Sequence, residues 1–106
     1  MSHPGRLENK VAIITGAGLG LGEGIARKFV EEGCKVLLFE INPQNGQKVA
    51  DSFSKDQAKL FVGDVTNVQH WEGALDACTK QFGRLDIVVN NAGVVHTSAV
   101  SRSRVL

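Results

Sequence analysis

The apolar positions of this chain change period along its length. Val11-Ala12-Ile13-Ile14-Thr15 is an unbroken apolar run rich in β-branched residues, the pattern of a strand buried on both faces of a parallel sheet. It ends at a glycine cluster. From about Leu19 to Glu32 the spacing turns helical: Leu21, Ile25, Ala26, Phe29 and Val30 share a stripe, and Gly33 supplies a stop. Val36–Phe39 repeats the buried-strand pattern. Asn42-Pro43 then offers an N-cap and a proline at the first helical position, which predicts a second helix from about Pro43 to Phe53. Leu60-Phe61-Val62 predicts a third strand, ending at Gly63-Asp64. Thr66, with Gln69 three residues later, reads as a capping box that opens a third helix running to about Phe82 and closed by Gly83. Leu85–Val89 predicts a fourth strand. After Gly93 the periodicity fades, and Ser98-Ala99-Val100-Ser101-Arg102-Ser103-Arg104 reads as a polar, mildly basic tail.

Regular alternation of strands and helices with short turns implies an α/β fold with a doubly wound parallel sheet in the order 3-2-1-4. Residues 1–95 are expected to form one incomplete domain and 96–106 a divergent tail without fixed order. Two helices cover one face of such a sheet and only one covers the other. The fourth strand is left with a bare edge, which predicts marginal stability and a place where a second chain could pair.

Composition excludes several classes. Hydrophobic residues make up 42% and charged residues 22% of 106 residues, which describes an ordinary globular chain. A net charge of +1 gives no reason to expect nucleic acid or an anionic membrane as partner. The longest apolar runs fall far short of the ~20 residues that span a bilayer. The first six residues carry no apolar leader segment, so a cytoplasmic or other reducing compartment is expected, with Cys34 and Cys78 as free, buried thiols. His3, His70 and His96 are scattered and read as surface or helix histidines, not a metal site. Trp71 reads as a packing residue. The chain has no tyrosine, which removes any chemistry that needs a phenol.

Five of the 12 glycines fall between Gly16 and Gly24, at the turn from the first strand into the first helix. Helix starts expose unpaired N–H groups and the positive end of the dipole, and an anion can reach them where no Cβ stands in the way. A tight turn with no ligand is the alternative for the glycines alone. Their spacing is Thr-Gly-x-x-x-Gly-x-Gly, carried by Thr15, Gly16, Gly20 and Gly22. Glu40 closes the second strand 18 residues beyond Gly22, where a dinucleotide fold places the acid that accepts hydrogen bonds from an adenosine ribose. A carboxylate there repels a 2′-phosphate, and Leu19 brings no cation to the loop, so NAD is expected over NADP. Asp64 ends the third strand on the same side of the sheet. Taken singly, Glu40 could be a surface acid and Asp64 a turn residue.

The turn Thr15-Gly16-Ala17-Gly18-Leu19-Gly20-Leu21-Gly22, the pair Asp64-Val65 and the run Asn90-Asn91-Ala92-Gly93 together resemble the short-chain dehydrogenase/reductase family, over about residues 7 to 95. The resemblance implies a Rossmann-like fold and an oxidoreductase that moves hydride between NAD(H) and a carbonyl or alcohol. It further implies that Gly16, Leu19, Gly20, Leu21 and Gly22 surround the pyrophosphate and adjoining ribose. Glu40 would hold the adenosine ribose, Asp64 and Val65 would contact adenine, and Asn91, Ala92 and Gly93 would line the ribose region. Asn90 would tie neighbouring strands together. The family's catalytic tyrosine, lysine, serine and further asparagine follow the Asn-Asn-Ala-Gly run, and Ser98, Ser101 and Ser103 stand too close to Gly93 to match that serine. No catalytic residue is therefore assigned, and this chain is expected to bind cofactor without turnover, as a truncated form. A non-catalytic dinucleotide or partner binder, or a truncated product without function, are the alternatives.

Overall fold

The side chains of β1, Val11–Thr15, are all buried, and the strand lies between two parallel neighbours as its apolar run predicts. The computed structural model describes residues 5–91 and the backbone of 104–105. On one side β1 pairs with β2, Lys35–Glu40, which in turn pairs with β3, Ala58–Val62; on the other it pairs with β4, Ile87–Val89. All these pairings are parallel, and the order 3-2-1-4 is the expected one. Ile13 stands opposite Leu37 and Val88, so the strongest β-formers occupy the middle of the sheet.

Period-two alternation sends successive side chains to opposite faces and builds two cores. Ala12, Ile14, Val36, Leu38 and Val89 face α1, Gly20–Glu31, and α2, Pro43–Ala50, burying Ala26 and Val49 against the sheet. Val11, Ile13, Leu37, Phe39 and Val88 face α3, Val68–Phe82. Among the described residues one helix covers that second face, and large rings fill it. Trp71 is fully buried, its ring edge-on to Phe39 at 4.8 Å, and Phe39 meets Phe61 the same way at 5.5 Å. The packing role expected of Trp71 is the one it has.

Boundaries differ from the sequence expectation where a side chain captures the backbone. Asn42 caps α2 as expected, accepting the Asn45 N–H at 2.9 Å. That helix stops at Ala50, because Ser52 and Phe53 donate to Val49 and Ala50 in tight turns. The α3 cap is Asn67, not Thr66: Asn67 Oδ1 accepts the His70 N–H, while Thr66 turns back onto Asp64. β4 begins at Ile87 because Asp86 is committed to Val11, its carboxylate taking the Val11 N–H and its own N–H donating to the Val11 carbonyl.

The edge of β4 is not bare. Arg104–Val105 forms a short β5 that runs parallel to β4 and pairs with Ile87 and Val88, extending the order to β3-β2-β1-β4-β5. Among the described residues no helix is long and apolar enough to cross a membrane.

Candidate cofactor site

Parallel strands end on the same side of a sheet, so Thr15, Glu40, Val62 and Val89 bring their following turns together. The turn after β1 is drawn in by hydrogen bonds from both neighbours. Gly16 donates its N–H to Phe39 at 3.0 Å, and Thr15 Oγ1 donates to the Val89 carbonyl while accepting the Asn91 N–H at 2.8 Å. Asn91 Nδ2 donates to the Gly16 carbonyl at 3.3 Å. The tie between β1 and β4 expected of Asn90 is therefore made by Asn91. Asn90 Oδ1 is buried with no partner among the described residues.

Two glycines of the turn have reasons that can be named. Gly16 has φ of 62°, a conformation a side chain resists. Gly22, in the first turn of α1, lies so close to the Gly16 carbonyl that an added Cβ would collide with that backbone oxygen and stand 2.7 Å from Asn91 Nδ2. Close approach of helix to turn is what Gly22 permits. The helix cap, Leu19, supplies no side-chain acceptor, so the first N–H groups of α1 are not claimed by a cap. Leu19 and Leu21 are 65% and 74% exposed beside them.

Glu40 is only 8% exposed, and both its oxygens hold backbone. Oε1 accepts the Gly18 N–H at 2.9 Å and Oε2 the Asn42 N–H at 3.0 Å, so one carboxylate braces the glycine turn against the start of α2. A Cβ on Gly18 would meet Asn45 and this same carboxyl group. Beyond Glu40, Ile41 is 64% exposed, and Val62, the register partner of Glu40, is exposed as well.

Asp64 and Val65 follow β3 in a turn held at several points. Asp64 Oδ1 accepts the Thr66 hydroxyl at 2.7 Å and its N–H at 2.8 Å, which holds the carboxyl below the usual carboxylate range. Trp71 Nε1 donates to the Val65 carbonyl at 2.8 Å. His70 Nδ1 accepts the Asp64 N–H at 2.9 Å, a contact that a reading of His70 as an ordinary helix histidine misses. Its signal in the sequence is faint: a histidine in the first turn of the helix that follows a strand-ending aspartate.

Gly16, Leu19, Asp64, Val65 and Asn91 thus follow the ends of the strands at one edge of the sheet, together with Gly20, Leu21 and Gly22 in the first turn of α1 and Glu40 at the end of β2. Ala92 and Gly93, like His3 and His96, lie outside the described residues. Cys34 and Cys78 are free and buried, with thiols pushed up to about 12 chiefly by burial, so neither is a nucleophile at neutral pH. Among the described residues no three His, Cys, Asp or Glu side chains gather as metal ligands. A cleft of about 530 Å³ between α2 and the outer edge of β3, floored by Phe53 and Leu60, includes none of the turn residues.

A doubly wound α/β domain with a glycine turn and an uncapped start to its first helix is the class these features define. Comparison with known proteins narrows it. The profile of the short chain dehydrogenase family matches residues 10–105. An uncharacterized oxidoreductase of Staphylococcus aureus (strain USA300) is 42% identical over 95 residues, which is 90% of this chain and 41% of that protein. Short-chain dehydrogenase reductase 3a of Arabidopsis thaliana is 40% identical over 90 residues, 85% of this chain and 35% of that protein. The chain belongs to the short-chain dehydrogenase family. It spans about two-fifths of the length of the curated relatives it matches.

Proposed function

We propose that these residues form the NAD-binding part of a short-chain dehydrogenase/reductase, whose whole form moves hydride between NAD(H) and a carbonyl or alcohol substrate. The observation that carries this reading is the pairing of a bare helix start with a braced acid. Gly22 leaves no Cβ between turn and helix, and Glu40, fixed through Gly18 and Asn42, stands at the end of the next strand. Gly16, Gly20, Gly22 and the exposed Leu19 and Leu21 would surround the pyrophosphate, whose charge the helix dipole favours. Each Glu40 oxygen has a second lone pair free for a ribose hydroxyl after accepting one N–H. Its negative charge, with no cation at Leu19, favours NAD over NADP. Asp64 and Val65 would meet adenine, with Ile41 and Val62 offering exposed apolar surface nearby. Asn91, Ala92 and Gly93 would line the ribose region.

When bound, the nicotinamide supplies the hydride; the protein supplies position and electrostatics. Reduction of a carbonyl also needs a proton donor of suitable pKa within reach of the oxygen. These 106 residues contain no tyrosine for that role, so they are expected to bind NAD without turning over substrate. Calorimetric titration of the 106-residue chain with NAD and NADP, beside an assay for alcohol oxidation, tests both halves. Saturable binding of NAD with no turnover supports the reading, and absence of binding with either nucleotide contradicts it.

A further inference from the structure

His70 is placed to act on the nucleotide site without touching it. Asp64 leaves β3 with its N–H directed at the His70 ring, and Nδ1 accepts it at 2.9 Å. An acceptor nitrogen is an unprotonated one, so the ring proton sits on Nε2 in this arrangement. His70 is itself anchored: its backbone N–H donates to Asn67 Oδ1 at the start of α3. The same turn is gripped from two other points, by Asp64 Oδ1 on Thr66 and by Trp71 Nε1 on the Val65 carbonyl.

We propose that His70 is a positioning residue for the nucleotide site: its Nδ1, as acceptor of the Asp64 N–H, fixes the Asp64–Val65 turn. This rests on the reading of Asp64 and Val65 as the adenine side of an NAD site. A side chain without an acceptor at this place leaves the Asp64 N–H to turn to water or move.

The bond itself faces solvent, so water replaces it in part and the expected effect is modest.

The test follows the Asp64 amide by NMR in the ¹⁵N-labelled chain, alongside NAD titrations. The wild type is compared with His70→Ala, which has no acceptor, and with His70→Asn, whose Oδ1 can take the place of Nδ1. His70→Ala is expected to move the Asp64 amide and to weaken NAD binding about two- to five-fold, the scale of one solvent-facing hydrogen bond. His70→Asn should restore both. An Asp64 amide or an NAD affinity that His70→Ala leaves unchanged overturns the proposal. If the amide responds to His70→Ala while NAD binds neither the wild type nor any variant, the hold on Asp64 stands. The cofactor reading then falls, and the nucleotide half of this proposal with it.

Discussion

Glu40 Oε1 accepts the backbone N–H of Gly18 at 2.9 Å, so the acid that ends β2 also shapes the glycine turn that follows β1. One residue therefore joins two features that lie far apart in the sequence. Replacing it by Gln keeps an oxygen for one amide and turns an N–H₂ toward the other. For Glu40→Gln we expect a stability loss of about 1 kcal/mol, the net scale of one hydrogen bond, and NAD binding weakened several-fold with the preference against NADP reduced. Urea midpoints and paired nucleotide titrations check this; unchanged discrimination would show that the carboxylate charge does not select the cofactor.

Gly22 and Gly24 sit two residues apart in α1 and should respond in opposite directions. A Cβ at Gly22 collides with the Gly16 carbonyl, which is backbone and cannot swing aside, whereas a Cβ at Gly24 has nothing within 4 Å. Gly22→Ala should cost about 1–3 kcal/mol and weaken NAD binding. Gly24→Ala should stabilise the chain by about 0.5–1 kcal/mol through helix propensity alone. Thermal or urea unfolding of the two variants reads the contrast directly.

Trp71 fills the face of the sheet that α3 covers, and its indole N–H also holds the Val65 carbonyl. Trp71→Ala should cost about 3–5 kcal/mol, a large share of the stability of so short a domain. Trp71→Phe should cost less while still losing the hold on Val65. Denaturant unfolding followed by far-UV circular dichroism measures both, and a loss below about 1 kcal/mol for the alanine variant would mean that this face is loosely packed.

Asp86 links β4 to β1 and sets an acid limit on stability. Its carboxylate takes the Arg84 guanidinium and the Val11 N–H, and the Arg84 hydrogen bond is the main cause holding its pKa below the ordinary value of 3.8. A carboxyl lowered on folding stabilises the native state above its unfolded pKa, and that stabilisation is lost as pH falls through the lowered folded value. Wild type should therefore lose stability relative to Asp86→Asn as pH drops below 3.8. Urea midpoints across that acid range show whether the two curves converge.

The strand order and the glycine turn were legible because burial leaves a direct trace: a run such as Val11–Thr15 has one physical use, and clustered glycines after it have few. Choices between neighbours were not. Thr66 and Asn67 are both good caps, and what decides for Asn67 is the capture of Thr66 by Asp64, a contact no local spacing encodes. Asn90 and Asn91 are likewise adjacent amides just after β4, and only the sheet reveals which one meets Gly16. Arg104–Val105 pairs with β4 at the end of a polar stretch with no period, so no local pattern announces the strand. His70 escaped notice because its role depends on the ring nitrogen facing a backbone amide six residues earlier.

Isothermal titration of the 106-residue chain with NAD and with NADP tests the central claim most directly. The arrangement of Gly22 against Gly16 and of Glu40 against Gly18 and Asn42 predicts saturable, one-site binding of NAD with markedly weaker binding of NADP. Saturable heat with NADP in preference to NAD, or with neither nucleotide, would contradict it.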